Sequence, residues 1–461
     1  MLNPTVTEPR DYNRRLFRRY KCRRMRTWIR FCCALFVAWA SVSGALADSG
    51  SSRDLPAGLQ IPAQAQPGPG FDVERATDAW INLLSPEQRA LSDAYFEGGY
   101  WLRLWGLLYW LGVMAILLYS GLSLRMRDLA ERLSHRPWFS TGLYGAAFIA
   151  AVFVLELPFS TYTDFVREHA YGLSNLSFPG WMRERLIGLA VNLVIGCVVL
   201  SVLYAGIRRA GARWWVWATA FAFVFTIILN LIFPLFIAPL FNDYKPLPEG
   251  PVRDAVLSLA RANEIPTEHV AWFDASKQTT RISANVAGTA GVARINLNDN
   301  LLNKTSLPEI RAVMGHEMGH YVLSHPFKLA IYRTLLYGIA FGMVHVLFDR
   351  LLARKGAALG LRNRADPAAL PLAAAIFAVV LFIMTPVRNT ITRTAEAEAD
   401  AFGLNAAREP EGFAMSAMRL STYRKLRPGA LEEFVFYDHP SGYDRVRRSM
   451  LWRKENLPES R

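Results

Sequence analysis

Six apolar segments, each close to the length of a membrane crossing, set the terms for any fold this chain can adopt. They run roughly from Leu104 to Leu124, Trp138 to Leu157, Leu186 to Ile207, Trp214 to Phe241, Leu329 to Phe348 and Ala368 to Val387. About 20 such residues carry a helix across a hydrocarbon core, where only helices and closed barrels satisfy their own backbone. Charged residues are sparse inside the segments and crowded between them, and Trp101, Trp105, Trp138, Trp181, Trp214 and Trp215 stand near segment ends, as interfacial aromatics do. Lys328 and Arg333, at the start of the fifth segment, must snorkel or face a wet interior. The expected fold is mainly α, a polytopic membrane helix bundle.

The span count is six or seven, because the N-terminus reads two ways. A basic block that includes Arg14, Arg15, Arg18, Arg19, Arg23, Arg24, Arg26 and Arg30 precedes an apolar run from Phe31 to about Val42 and then Ser43-Gly44-Ala45-Leu46-Ala47. This is the pattern of a secretory signal cleaved after Ala47, and the run is also just long enough to stay as a first transmembrane helix. The expected organisation is 1–47 as signal or first span, 48–100 as exported linker and amphipathic region, and 101–241 as four transmembrane helices. Residues 242–326 and 388–461 read as the two halves of a soluble domain, separated by two further spans in 327–387. In the first half, 254–263 has helical periodicity, and Val270 to Phe273 and Ala293 to Leu297 read as short strands.

The formal net charge of +14 would suggest nucleic acid in a soluble protein. Here most of the excess lies beside the spans, where membrane lipid and topology account for it, so no nucleic-acid partner is expected. The cysteines, Cys22, Cys32, Cys33 and Cys197, lie in or beside apolar runs and are not placed to build a thiolate metal site. Any metal must be held by His and carboxylate.

His316-Glu317-Met318-Gly319-His320 supplies such a set. On a helix, positions i and i+4 share a face, so both imidazoles reach one ion. Zinc accepts two such nitrogens and a carboxylate and keeps its fourth position for water. Glu317, next to the first ligand, is placed to act as general base. Ser306-Leu307-Pro308-Glu309 fits a capping box, Ile310, Val313 and Met314 form an apolar stripe, and His325-Pro326 stops the run. The third ligand is expected from Thr392-Arg393-Thr394-Ala395-Glu396-Ala397-Glu398-Ala399-Asp400, where Glu396 and Asp400 share a face and Glu398 lies on another. Glu396 is the favoured ligand, with Asp400 orienting an imidazole through its other nitrogen.

A His-Glu-x-x-His helix followed by Asn389, Arg393, Glu396, Ala399 and Asp400, each next to membrane spans, resembles the type I CAAX prenyl proteases and the related HtpX-like membrane metalloproteases. Pro234-Leu235-Phe236 through Phe241-Asn242 and Pro246-Leu247-Pro248-Glu249-Gly250 also match, and the likeness extends from about residue 95 to 450. The resemblance implies a gluzincin-like α+β domain with one Zn²⁺ per chain, and polypeptide substrates. It implies that Ser283-Ala284-Asn285 belongs to a substrate-binding edge strand, with Asn285 holding the peptide backbone. It further implies that His439, in His439-Pro440, stabilises the oxyanion and that Arg445 buttresses it.

Short basic loops lie in the cytoplasm. The N-terminal block and the stretches 125–136, 208–213 and 350–364 fall on one side if each apolar segment crosses once. The zinc domain then faces the exported side, the periplasmic face of a bacterial inner membrane, whereas the enzymes it resembles work on the cytosolic side. The expected function is zinc-dependent peptide hydrolysis, either of CAAX-box proteins or in general turnover of membrane and exported proteins. The rivals are a transporter or channel with an incidental pentapeptide, and a zinc-bound chaperone without catalysis.

Overall fold

The computed structural model describes residues 54–289 and 292–457. The signal-like N-terminus, Cys22, Cys32 and Cys33 lie outside the described residues.

The apolar segments fold as long helices. Helix α1 (Val73–Ile81) precedes α2 (Pro86–Tyr119), which a capping box starts: Ser85 N–H donates to Gln88 Oε1 and Gln88 N–H to Ser85 Oγ. The amphipathic α3 (Leu122–Leu133) leads into α4 (Pro137–Ser160), which carries Pro158 near its end and continues into a π-helical turn, Thr161–Val166. Then come α5 (Phe178–Ala210), α6 (Trp214–Ile232), and, beyond a soluble stretch carrying α7 (Pro251–Ala262), α8 (Leu307–Val322), α9 (His325–Leu359), α10 (Leu370–Ile383) and α11 (Thr385–Ala407). The chain ends in α12 (Pro410–Leu420) and α13 (Gly442–Asn456).

Among the described residues, four helical stretches are long and apolar enough to cross a membrane, or five if the pair α10–α11, bent by 56°, counts as one span. One of the four, Phe178–Leu240, is 63 residues long, about three times what one crossing needs. It breaks at Gly211, whose φ is +54°, and its halves α5 and α6 pack on each other. The stretch thus holds two of the apolar segments, and the mainly α bundle expected from the sequence is what the chain forms.

At one end of the bundle the basic loops are tied together. Arg127 Nη1 meets Asp366 Oδ2 at 2.8 Å with both side chains buried, Arg362 makes a two-pronged contact with Glu131 at 2.6 and 2.9 Å, and Arg364 pairs with Asp349.

The soluble part holds a four-stranded sheet in the order β1-β2-β4-β3, built from β1 (Tyr244–Pro246), β2 (Val270–Phe273), β3 (Ala284–Thr289) and β4 (Val292–Asn298). The β2–β4 pair is parallel and the others antiparallel, which leaves β3 at an edge. Val256, Leu259, Val270, Ile295 and Leu297 bury themselves against Met314 and Met318 of α8. That core holds α8 flat on the sheet.

The segment expected to be a linker is packed over the part that is described. Leu55, Trp80, Ile81 and Leu84 are buried against Met415, Met418, Val446 and Met450, and Arg419 donates to the carbonyls of Leu55 and Pro56. Leu55 comes from the linker-like part and Trp80, Ile81 and Leu84 from the amphipathic part, and their partners on α12 and α13 are far away in sequence.

Candidate metal centre

Helix α8 starts as its residues suggest, with Ser306 N–H donating to the buried Glu309 carboxylate at 2.8 Å and Pro308 in the first turn. It lies against α11 at backbone distance because glycine occupies the crossing. A Cβ on Gly403 would stand 2.7 Å from the backbone nitrogen of His316, one on Gly315 would stand 3.0 Å from the Gly403 carbonyl, and one on Gly319 would stand 3.2 Å from the Ala399 Cα. This approach lets the short carboxylate of Glu396 meet both imidazoles.

The Nε2 atoms of His316 and His320 are 3.1 Å apart. Glu396 presents Oε2 3.3 Å from His316 Nε2 and Oε1 3.6 Å from His320 Nε2. A tetrahedral zinc bound at about 2.0–2.1 Å spaces its donors about 3.3 Å apart, so the three donor atoms fit one such ion. His316 Nδ1 bonds Asp400 Oδ1 at 2.8 Å, and Arg445 clamps the same carboxylate from behind at 2.9 and 2.6 Å. His439 Nε2 lies 3.3 Å from Glu396 Oε2, on a loop that α11 holds in place. Asn389 donates to the Val435 carbonyl, and Arg393 to those of Glu433 and Tyr437.

The centre opens into a cleft of about 270 Å³. His316, Glu317, Glu396, His439 and Arg445 form its polar floor, and Ala312, Val313, Phe413, Ala417 and Leu420 its apolar wall. Ile282, Ser283 and Ala284, leading into the edge strand β3, form a rim. Asn285 stands apart from the lining, with its Oδ1 accepting from Asn296 Nδ2 at 2.9 Å on the paired strand.

Electrostatics favour a cation here. Burial pushes the Glu317 carboxyl up to about 7; His316 and Arg445 pull it down and Glu396 pushes it further up. Burial works against a charged His316, but hydrogen bonds to Asp400 and Glu396 outweigh it and push the imidazole up to about 9. Burial and the neighbouring His316 push His320 down to about 4. The carboxylates that hold a proton on His316 are the same charges that attract a metal ion in its place.

Two residues that the sequence reading left without a role also reach this centre. His325 Nδ1 lies 2.8 Å from His320 Nδ1, and Glu398 Oε2 lies 3.1 Å from His325 Nε2. The available signal was a third histidine five residues beyond His320, just after a helix stop. His345, within the fifth apolar segment, accepts from Trp214 Nε1 at 3.2 Å.

A membrane helix bundle that carries a donor set of this kind, with a further carboxyl group beside it in an open cleft, is a membrane zinc metalloprotease. Residues 76–243 match the CAAX prenyl protease N-terminal family, described by five membrane helices, and residues 246–450 match peptidase family M48. The chain belongs to this CAAX prenyl protease family. It is 29% identical over 388 residues to the uncharacterized metalloprotease YhfN of Bacillus subtilis, spanning 82% of this chain and 88% of that protein. A CAAX prenyl protease 1 homolog of Dictyostelium discoideum is 30% identical over 204 residues, which span 44% of this chain and 48% of that protein. The crystal structure of S. mikatae Ste24p superposes with a TM-score of 0.67 over 92% of this chain and 98% of that one, at 20% identity, a likeness of fold.

Proposed function

We propose that the chain is an endopeptidase holding one zinc ion at His316, His320 and Glu396, and that it hydrolyses extended polypeptides laid along β3. The observation that carries the reading is the meeting of the three donor atoms, two of whose residues, His316 and Glu396, share the floor of one cleft with Glu317 and His439. When bound, the metal supplies a Lewis acid for the scissile carbonyl and lowers the pKa of water.

The chain's own residues do the rest. The edge of β3 aligns the substrate backbone by strand addition, with Asn285, whose Oδ1 accepts from Asn296, on that strand. The apolar wall accepts an uncharged side chain next to the scissile bond. Glu317 takes a proton from the attacking water and passes it to the leaving amine as the C–N bond breaks. His439 donates towards the developing oxyanion, held by Asp438 at 2.8 Å on its other nitrogen. Arg445 and Asp400 fix the first imidazole.

The cleft opens on the exported face, which we take as the periplasmic side of a bacterial inner membrane. Support comes from the basic loops, which the Arg127–Asp366 and Arg362–Glu131 pairs gather at one end of the bundle. Turnover of membrane and exported proteins then fits better than CAAX-box processing, the activity named for the Dictyostelium relative.

The test is zinc content and peptide hydrolysis of detergent-purified protein, wild type beside Glu317→Gln and Glu396→Ala. About one zinc per chain, lost in Glu396→Ala and kept in an inactive Glu317→Gln, is the expected result, and wild type without zinc refutes it. A farnesylated CAAX peptide run beside an unmodified unfolded peptide separates the two substrate classes. For the membrane side, Leu431→Cys, at a position 75% exposed in the C-terminal soluble part, should react with an impermeant maleimide on cells whose inner membrane is intact. Labelling only after lysis reverses the assignment.

A further inference from the structure

A histidine that gives Nε2 to a metal carries its proton on Nδ1, and that N–H needs an acceptor to fix the ring. For His316 the acceptor is Asp400. His320 has no carboxylate on its Nδ1; the neighbour there is Nδ1 of His325, at 2.8 Å. A contact between two ring nitrogens is a hydrogen bond only if one donates and the other accepts. With His320 donating, His325 must accept at Nδ1 and carry its own proton on Nε2. That is where Glu398 Oε2 lies, at 3.1 Å. Each link of the chain His320–His325–Glu398 then has one donor and one acceptor, and the terminal group is an anion.

We infer that His325 and Glu398 are positioning residues for the metal ligand His320, a second orienting arm alongside Asp400 and Arg445. The inference rests on His320 being a ligand, as proposed above. The placement is built by the backbone. Ser324, between α8 and α9, takes φ +54° and ψ 36°, a left-handed conformation that a non-glycine residue rarely adopts, and this reversal swings His325 back beneath His320. His325 is 1% exposed, so its ring is fixed by packing, while the Glu398 side chain is half exposed and has Lys328 3.9 Å away. Glu396 and Glu398 lie on different faces of α11 and still serve the same centre: one meets the imidazoles directly, the other reaches His320 through a second histidine. Helix α11 thereby grips both ligands of α8.

The test measures zinc affinity of the full detergent-purified chain by competition with a chromophoric zinc chelator, in wild type, Glu398→Ala, Glu398→Gln, His325→Gln and the Ala/Gln double variant. Loss of such an orienting partner weakens metal binding about 10–100-fold. Glu398→Ala should show that loss while its metal-free thermal midpoint stays at the wild-type value, because the side chain is half exposed. Glu398→Gln keeps an acceptor oxygen and should fall between Glu398→Ala and wild type. The double variant should bind zinc no more weakly than His325→Gln alone, since groups acting in series do not add. Wild-type affinity in Glu398→Ala overturns the inference, and so do additive losses in the double variant. Wild type that takes up no zinc overturns the metalloprotease reading, and this inference with it.

Discussion

Asp400 Oδ1 lies 2.8 Å from Nδ1 of His316, and that carboxylate is held from behind by Arg445 at 2.9 and 2.6 Å. The pairing decides which ring nitrogen of His316 is free for the cleft. It also neutralises an aspartate with no exposure to solvent. The expected outcome for Asp400→Asn is a folded protein that binds zinc about 10–100-fold more weakly, because an amide cannot hold the imidazole N–H as a carboxylate does. Asp400→Ala should be worse in another way, since it removes the main partner of the buried Arg445 charge and leaves it only the longer contact to Glu396 at 3.7 Å, at a cost of up to about 3–5 kcal/mol. Chelator competition and thermal melts on the two variants separate these effects. Equal affinity in Asp400→Asn and wild type would show that the tautomer is set elsewhere.

Glu317 lines the cleft floor beside His316 without being one of the converging donors. Glu317→Gln should therefore keep its zinc and lose activity by about 10²–10⁴-fold, the range a positioned general base contributes. The loss should fall on kcat with little change in KM, since the carboxylate is used in the chemical step. A variant that loses zinc in parallel with activity would mean that Glu317 is needed to hold the metal.

The same carboxyl carries a cost to the fold. Burial raises its pKa to about 7, above the roughly 4.3 of an unfolded glutamate, so the folded state favours the protonated form. A group whose folded pKa is raised contributes stability that is fully present below the unfolded value and is lost as pH rises through the folded one. In protein stripped of metal with a chelator, Glu317→Gln should then match wild type near pH 4 and become more stable as pH climbs towards 8. The gain should be of order 1 kcal/mol or more, read as a rise in thermal midpoint. A variant less stable than wild type at pH 8 would show that the ionised carboxylate is paired in the fold.

The hydrophobic segments and the pentapeptide were readable from sequence because each is a local pattern: run length for a span, i and i+4 for two imidazoles on one face. Val270–Phe273 read as a strand because it is short and apolar, and the chain forms β2 there. What escaped was long-range or backbone-borne. His325 reads as the stop of the helix before it; α8 ends at Val322, His325 opens α9, and only the left-handed turn at Ser324 reveals that its ring returns to His320. Glu398 faces away from Glu396, and nothing local says that a histidine 73 residues earlier awaits it. Leu55 sits in a stretch with the composition of a linker, while its partners lie on α12 and α13.

The glycines at the α8–α11 crossing were equally silent, and they yield the sharpest structural prediction. The atoms nearest a Cβ on Gly403 belong to the His316 backbone, 2.7 Å away at N and 3.0 Å at Cα. They cannot give way as the tip of a side chain would, so Gly403→Ala must push α8 and α11 apart by several tenths of an ångström. Overpacking of this kind costs about 1–3 kcal/mol. The metal should feel it more than the fold does, because zinc donors must stay within about 0.2 Å of their distances. Gly403→Ala is therefore expected to fold with a lowered thermal midpoint and to lose most of its zinc affinity and activity. Gly112→Ala on α2, where nothing lies within 4 Å of the added atom, should leave both unchanged. If Gly403→Ala bound zinc as wild type does, the close approach of the helices would not be what brings Glu396 to the two imidazoles.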